Sequence, residues 1–314
     1  MAEKSTKPAS TIHLNMKIQR REFLKRSALG ICGLLGGGLV PPAEAKSGCF
    51  DPYERLTLGK TKIKVSRLCL GTGMRGWERE SNQTRLGKEK FEQLIQNAYE
   101  RGIRLFDLAD LYGTHPYIIP ALKKIRREKY AIVTKIWWRP GGLPETERPD
   151  ADVLVARFLK ELKTDYIDLL LLHCLTSADW PTELSRQMEI LANLKQQGVI
   201  RAHGVSCHSL EALEAAAREP WVDSVHTRIN PYGLKMDGPP EKVLPVLKRI
   251  HDAGKGVVGM KIVGEGALRN DPGKRDESVK LALQSGCVNV LNVGFESVEE
   301  IDDLSARVSK VRRT

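Results

Sequence analysis

Short apolar runs alternate with segments of helical periodicity from residue 50 to the C-terminal end of the chain. The unbroken apolar run at 166–172 predicts a strand that is buried on both faces. Residues 88–101 instead place Phe91, Leu94, Ile95 and Ala98 on one face, which predicts an amphipathic helix. The same patterns predict strands at 67–70, 104–107, 131–134, 166–172, 200–206, 222–227, 256–262 and 288–293. They predict helices at 88–101, 116–127, 150–162, 182–197, 209–218, 242–253, 278–285 and 297–308.

Eight strands that alternate with helices predict a parallel sheet, because parallel neighbours need a crossover between them. Eight such units in about 260 residues match a (β/α)8 TIM barrel, which typically takes roughly 250 residues. Two short runs around Gly59-Lys60, at 56–58 and 62–65, predict a β-hairpin before the barrel.

A doubly wound sheet is the alternative fold, because Gly71 to Gly76 form a G-x-G-x-x-G pattern after the first strand. In a dinucleotide-binding fold this pattern opens a helix directly. Here residues 77–85 are polar and do not start a helix, so the barrel remains the favoured prediction.

Composition narrows the function classes. The chain is 41% hydrophobic and 28% charged, which is typical of a globular protein with a sizeable core. The net charge of +11 is spread along the chain without interleaved aromatic residues, which argues against nucleic-acid binding. No apolar run reaches the roughly 18 residues that a membrane-spanning helix needs.

The first 45 residues differ from the rest of the chain. Arg20-Arg21 and the following Phe-Leu-Lys precede a glycine-rich, weakly apolar stretch and then Ala43-Glu44-Ala45. This order is typical of a secretory signal, and the paired arginines resemble the twin-arginine (Tat) signal of bacteria. We therefore predict a signal peptide at 1–45 with cleavage after Ala45, the Tat export machinery as a partner, a periplasmic or exported destination, and a barrel at 46–314.

Five cysteines lie beyond residue 45, widely spaced and without a C-x-x-C pair. This pattern predicts neither a disulfide framework nor a metal site, and small buried side chains are the simpler interpretation.

Polar residues at the ends of the predicted strands suggest chemistry. Asp107 closes the second strand, Lys135 the third and His173 the fourth, and Tyr112 lies in the loop after Asp107. The C-terminal strand ends of a barrel surround one mouth, where the active sites of such folds lie. We therefore expect these four side chains to converge there.

The segments that carry these residues resemble the aldo-keto reductase family over residues 56–308. The matching motifs are Phe-Asp-Leu-Ala-Asp-Leu-Tyr-Gly at 106–113, Val-Thr-Lys at 133–135, Asp-Tyr-Ile-Asp-Leu-Leu-Leu-Leu-His at 165–173, Gly-Val-Ser at 204–206 and Asn-Pro at 230–231. The resemblance implies a catalytic tetrad of Asp107, Tyr112, Lys135 and His173. It also implies an NAD(P)-dependent oxidoreductase that transfers a hydride between nicotinamide and a carbonyl or alcohol substrate.

In this interpretation Tyr112 is the general acid in reduction and the base in oxidation. Lys135, held by Asp107, is expected to lower the pKa of the Tyr112 phenol, and His173 to hydrogen-bond the carbonyl oxygen.

The same resemblance implies cofactor contacts, although several differ from the family pattern. Ser206-Cys207 replaces a Ser-Asn pair, His226 a Gln, and Met260 a stacking aromatic residue. Lys261 is expected to reach a phosphate. The last loop contributes Gly294 and Ser297 at a helix N-terminus, where phosphate is favoured. That loop lacks a basic residue and carries Glu300, so NADP(H) and NAD(H) both remain open.

Candidates for the substrate pocket are the loop tryptophans Trp77, Trp137 and Trp138, together with His115. They suggest an apolar or aromatic carbonyl compound. Two alternatives remain. One is a non-catalytic sensor or subunit that binds cofactor in the same barrel. The other is a metal-dependent lyase, but this sequence lacks the cluster of carboxylate and histidine ligands that such an enzyme needs.

Overall fold

The computed structural model describes residues 48–313. The predicted signal peptide lies outside the described residues. The described chain begins with an antiparallel hairpin of β1 (Arg55–Thr57) and β2 (Lys64–Ser66), in which Leu56 pairs with Val65. This confirms the hairpin predicted around Gly59.

Eight parallel strands close into a barrel in the order β10-β3-β4-β5-β6-β7-β8-β9, with β9 paired back to β10. The closure confirms the (β/α)8 fold and excludes the doubly wound alternative. The strands are β3 (Leu68–Gly71), β4 (Leu105–Asp107), β5 (Ala131–Trp137), β6 (Ile167–Leu175), β7 (Ile200–Cys207), β8 (Ser224–Arg228), β9 (Gly256–Met260) and β10 (Val290–Val293).

Helices follow the strands around the outside. They are α1 (Asn82–Arg85), α2 (Lys88–Arg101), α3 (His115–Leu122), α4 (Ala151–Leu162), α5 (Trp180–Glu183), α6 (Ser185–Gln196), α7 (Leu210–Arg218), α8 (Pro240–Asp252), α9 (Pro272–Gln284) and α10 (Val298–Val308). None of these helices is long and apolar enough to cross a membrane.

Two apolar layers follow from the alternation of side chains along each strand. On β6, Leu170 and Leu172 face the helices, whereas Leu169 and Leu171 face the barrel interior. The hairpin adds Leu58 and neighbouring apolar residues to the interior layer, against the start of β9. The hairpin therefore covers the N-terminal end of the barrel and leaves the C-terminal end as the mouth.

Several predicted boundaries change in the structure. Strands β5 and β6 extend two or more residues past Lys135 and His173, so these side chains lie inside strands rather than at their ends. The helix predicted at 116–127 stops at Leu122, and the one predicted at 278–285 starts earlier, at Pro272. The helix predicted at 182–197 is divided into α5 and α6.

Candidate active site

Strand alternation places one set of side chains at the inner mouth of the barrel. The interior residues Leu105, Val133 and Leu171 are each followed two positions later by a polar inward residue. The polar residues reached in this way are Asp107, Lys135 and His173, and the same rule on the other strands gives Ser206, His226 and Asn292. The structure therefore brings the predicted strand residues to one mouth.

Lys135 and Asp107 form a fully buried ion pair between β5 and β4. The Lys135 ammonium also donates to the Leu108 carbonyl oxygen at 3.0 Å. Asn292 on β10 donates its side-chain amide to the second carboxylate oxygen of Asp107. The carboxylate is thus held from two strands, and it fixes the ammonium beside the Tyr112 ring, 4.8 Å from the ring centroid.

Tyr112 reaches the mouth from a 3₁₀ turn at Asp110–Tyr112 that directly follows β4. Its hydroxyl lies 3.1 Å from Nε2 of His173, and the two rings meet edge to face. A Cβ atom on Gly73 would lie 2.2 Å from the Tyr112 ring, and one on Gly76 would lie 2.4 Å from it. Two glycines of the G-x-G-x-x-G pattern, Gly73 and Gly76, therefore make room for the tyrosine ring.

Burial favours the neutral forms of Tyr112 and His173 at the mouth. Burial raises the pKa of the Tyr112 phenol well above 10.0, and the Asp107 charge raises it further. Burial also lowers the pKa of His173 well below 6.5, with Lys135 acting in the same direction. The expected lowering of the Tyr112 pKa by Lys135 is outweighed in this structure, because burial and the Asp107 charge both raise the pKa of the phenol.

A groove of about 990 Å³, including its open side, runs from the tetrad toward α10. Its inner end contains Gly71, Asp107, Tyr112 and Asn292, and its outer end contains Leu304. The β9 loop, residues 261–269, forms one wall, and Val293, Gly294 and Phe295 form another. The groove therefore connects the proton-bearing groups to the N-terminal half of α10.

Each of the three basic residues that line this groove in the described chain contacts a carboxylate. Lys261 pairs with Glu265 at 2.6 Å, and Arg275 pairs with Asp303 at 2.7 Å. Arg269 pairs with Glu296 at 2.8 Å and also with Glu300. The β10 loop lacks a basic residue, as its sequence shows, but the structure brings Arg269 to it from the β9 loop.

The predicted cofactor residues divide into two groups. Met260, Lys261 and Gly294 line the groove. Ser206 lies deeper and accepts a hydrogen bond from the Cys174 amide at 2.8 Å, while Ser297 caps α10 through the Glu300 amide at 3.4 Å.

Two further cofactor candidates lie outside the groove. His226 is fully buried, with Nε2 3.9 Å from the Asp107 carboxylate, and burial lowers its pKa to about 4. Cys207 faces the layer between the strands and the helices, because it occupies an outward position on β7. A cofactor contact through the Cys207 side chain is therefore not supported by its orientation.

The residues predicted to line the substrate pocket lie in different parts of the structure. Trp137 packs edge to face on His173, with 5.5 Å between ring centroids, and Trp77 packs on Trp137 in the same manner with 50% of its surface exposed. Trp138 packs against the outer layer instead. His115 is buried between Glu161 at 2.6 Å and Thr134 at 2.7 Å. It therefore joins α3 to α4 and β5, and it does not line the groove.

Two residues of the site were missed in the sequence. Asn292 could have been noticed as an amide within an otherwise apolar last strand. Arg269 gives no comparable signal, because its position depends on the path of the β9 loop. This loop carries Lys261 and Glu265 at left-handed φ values of 57° each, a conformation that local sequence does not indicate.

The groove fits a nicotinamide dinucleotide on observations from this chain. Its walls include the backbone of Gly71 and Gly294, where a Cβ atom would lie 2.6 Å from Asn292 Oδ1 and 3.2 Å from Gln83 Nε2 respectively. At its inner end, Asn292 leaves its buried side-chain oxygen without a hydrogen-bond partner. Among the described residues, no group of three or more His, Cys, Asp or Glu side chains is arranged to hold a metal ion.

Comparison with known proteins gives a consistent result. The model of the aldo/keto reductase family matches residues 67–307. The uncharacterized oxidoreductase YqkF of Bacillus subtilis is 29% identical over 248 residues, which is 77% of this chain and 73% of the relative. The aldo-keto reductase YhdN of Bacillus subtilis is 31% identical over 208 residues, 62% and 58% of the two chains. The NADH-specific methylglyoxal reductase of Escherichia coli is 32% identical over 173 residues, 49% and 52% of the two chains.

Solved structures show the same architecture. PA4992 of Pseudomonas aeruginosa is 25% identical, with a TM-score of 0.66 over 83% of this chain and 97% of its own. The thermostable aldo-keto reductase Tm1743 is also 25% identical, with a TM-score of 0.64 over 83% and 96% of the two chains.

Proposed function

The chain belongs to the aldo/keto reductase family of oxidoreductases, and from that premise we propose that it uses NADH or NADPH to reduce the carbonyl group of a small aldehyde or ketone. The observation that carries this proposal is the 3.1 Å contact between the Tyr112 hydroxyl and His173 Nε2 at the inner end of the groove. A bound nicotinamide supplies the hydride, which no side chain can provide.

Tyr112 donates the proton to the carbonyl oxygen as that oxygen becomes an alkoxide. The phenol is well suited to this role because burial keeps it protonated, while an alkoxide is a far stronger base than a phenolate. His173 remains neutral, since burial lowers its pKa, so one ring nitrogen can donate a hydrogen bond to the same oxygen. The two groups together hold the carbonyl oxygen between a proton donor and a hydrogen-bond donor.

Lys135 and Asp107 position Tyr112. The ammonium lies over the phenol ring, and its partner Asp107 is held in turn by Asn292. When Tyr112 gives up its proton, the nearby ammonium stabilises the phenolate that results. The ammonium therefore favours proton transfer from Tyr112, against the opposing effects of burial and the Asp107 charge.

Trp137 and Trp77 supply an apolar wall for the rest of the substrate. Leu111 and Cys174 pack with Trp137 beside His173, and Tyr112 and Leu143 border the same cluster. This wall favours an apolar or aromatic group attached to the carbonyl carbon.

The proposal is tested with mature protein, both reduced cofactors and a panel of carbonyl compounds, by following cofactor oxidation. Tyr112→Phe removes the proton donor and keeps the ring between Gly73 and Gly76. We expect it to lower kcat by roughly 10²–10⁴-fold. Cofactor affinity should stay within about threefold, because the hydroxyl adds little to dinucleotide binding.

Two outcomes would contradict the proposal. Wild-type rates in Tyr112→Phe would remove Tyr112 from proton transfer. Cofactor binding by the wild type without turnover of any carbonyl in the panel would favour the sensor alternative instead.

We also propose that residues 1–45 direct the chain through the twin-arginine route to the periplasm or beyond. The support is the Arg20-Arg21 pair, the glycine-rich stretch that follows it, and the small-x-small sequence ending at Ala45.

A further inference from the structure

The outer end of the groove carries an acidic cluster on α10 and the loop before it. When the nicotinamide ring lies beside Tyr112, the adenosine half of the dinucleotide extends toward the other end of the same groove. That end is lined by Arg269, Glu300 and Leu304. NADH and NADPH differ at this end of the molecule, where NADPH carries an extra phosphate with about two negative charges. The charges at this end of the groove therefore decide which cofactor is bound.

Arg269 is the basic residue closest to that cluster, and it is already engaged. Its guanidinium donates to Glu296 at 2.8 Å and to Glu300 at 3.0 Å through Nε. Asn82 also donates to Glu296. Within the cluster, one cation thus contacts two carboxylates.

Glu296 is ionised at neutral pH. Burial raises the pKa of Glu296, but hydrogen bonds from Arg269 and Asn82 and the charges of Arg269 and Arg75 bring it below its usual value of 4.5. Arg275, the other arginine that lines the groove, pairs with Asp303, which also accepts from Arg307 at 2.8 Å. Each of these arginines therefore contacts a carboxylate before any ligand arrives.

The carboxylate of Glu300 also lies at the start of α10. The Glu300 carboxylate accepts a hydrogen bond from the Glu296 amide at 2.8 Å, while the Glu300 amide donates to Ser297. A helix N-terminus attracts anions through such amides. Here the Glu300 carboxylate binds the amide of Glu296, which directly precedes the N-cap Ser297, and so places a like charge beside a phosphate at the start of the helix.

We propose that this chain selects NADH over NADPH through the Glu296–Arg269–Glu300 cluster. The inference rests on the proposed function and names the cofactor of that same groove. The two carboxylates repel the extra phosphate, and they can accept hydrogen bonds from the ribose hydroxyl that NADH presents instead.

The test measures dissociation constants for NADH and NADPH with mature protein, from quenching of tryptophan fluorescence and from calorimetry, without substrate. We expect the wild type to bind NADH at least about tenfold more tightly than NADPH. The preference should shrink at high ionic strength, because Arg269 has 49% of its side chain exposed and salt screens exposed charges.

Three variants locate the effect. Glu296→Gln/Glu300→Gln removes both charges and frees Arg269, so NADPH binding should tighten about tenfold or more while NADH binding changes by less than about threefold. Arg269→Met leaves the carboxylates uncompensated and should weaken NADPH binding further. The control is Glu214→Gln, an exposed glutamate on α7 that pairs with Arg218 at 3.8 Å, and it should leave both constants unchanged.

The outcomes separate the inference from its premise. Equal or tighter binding of NADPH by the wild type overturns the inference and leaves the proposed function standing. A wild-type preference for NADH that survives unchanged in the double variant overturns the assignment to this cluster. Failure of both cofactors to bind overturns the proposed function, and the inference with it.

Discussion

At Tyr112, burial sets the protonation state and the neighbouring residues set the position. The phenol is buried beside the Lys135–Asp107 pair, and its hydroxyl contacts His173. Burial and the Asp107 charge both raise the pKa of the phenol, so it stays neutral. A neutral phenol is the form required for reduction, whereas oxidation of an alcohol requires the phenolate.

This protonation state predicts the pH dependence of turnover. Tyr112 loses its proton only above pH 10.0, and His173 gains one only below pH 6.5. We therefore expect kcat for reduction to be flat between these values, and kcat for alcohol oxidation to rise about tenfold per pH unit across much of that range. Initial rates in both directions across that range provide the measurement. A loss of reduction with an apparent pKa near 8 would show that Tyr112 ionises more easily than its burial implies.

Gly73 gives a second prediction at the scale of one residue. A methyl group there would lie 2.2 Å from the Tyr112 ring, so Gly73→Ala must displace that ring. We expect a loss of about 1–3 kcal/mol in the free energy of unfolding. We also expect a fall in kcat of roughly 10²-fold, because the hydroxyl no longer reaches its position.

Gly273→Ala is the matched control for that variant. Gly273 lies in the first turn of α9, and a methyl group there would approach Asp271 no closer than 3.6 Å. Stability and kcat should both remain close to wild type. Normal turnover in Gly73→Ala would show that the tyrosine ring tolerates displacement.

At the scale of elements, the strands explain how much of the site can be predicted from sequence. Apolar runs reveal the strands, and period-two alternation then identifies inward residues such as Asp107, Lys135 and His173. The same alternation assigns Cys207 to the outer face, although motif resemblance alone suggests a cofactor contact. The length of a strand is harder to predict, because the polar residues Lys135 and His173 resemble strand ends although β5 and β6 each continue for two more residues.

Loops are where prediction from sequence fails. Arg269 in the β9 loop contacts Glu296, which lies in the loop after β10, and Glu300, which lies on α10. The β9 loop also contains residues other than glycine in the left-handed conformation. The role of Gly73 and Gly76 is similarly hidden, since their pattern resembles a phosphate-binding turn. In both cases the determining contact is between segments far apart in the chain.

A substitution at His115 tests whether this residue is structural or belongs to the substrate pocket. The sequence places it among the substrate candidates, whereas the structure has it joining α3 to Glu161 of α4 and Thr134 of β5. His115→Ala should therefore lower the free energy of unfolding by about 1–3 kcal/mol. KM and kcat should stay near wild type. Chemical denaturation and steady-state kinetics measure the two effects, and a selective rise in KM at unchanged stability would return His115 to the substrate pocket.

At the scale of the whole molecule, barrel closure makes the site depend on the entire chain. The closing contact pairs Leu291 of β10 with Leu68 of β3, and Asn292 then reaches Asp107 from the last strand. The groove likewise combines residues from both ends of the barrel sequence. The site is therefore complete only after the last strand has been added, which suits the proposed twin-arginine route because that route carries folded proteins.

This argument gives the last prediction. Arg20→Lys/Arg21→Lys removes the arginine pair and preserves the charge, so the full-length chain should stay in the cytoplasm of a bacterial host with a twin-arginine system. The control Arg26→Lys changes an arginine outside the pair and should leave export intact. Fractionation followed by N-terminal sequencing measures both effects, and the exported form should begin at Lys46. Export of the double variant at the wild-type level, or a mature chain that begins well inside the barrel, would contradict the assignment of residues 1–45.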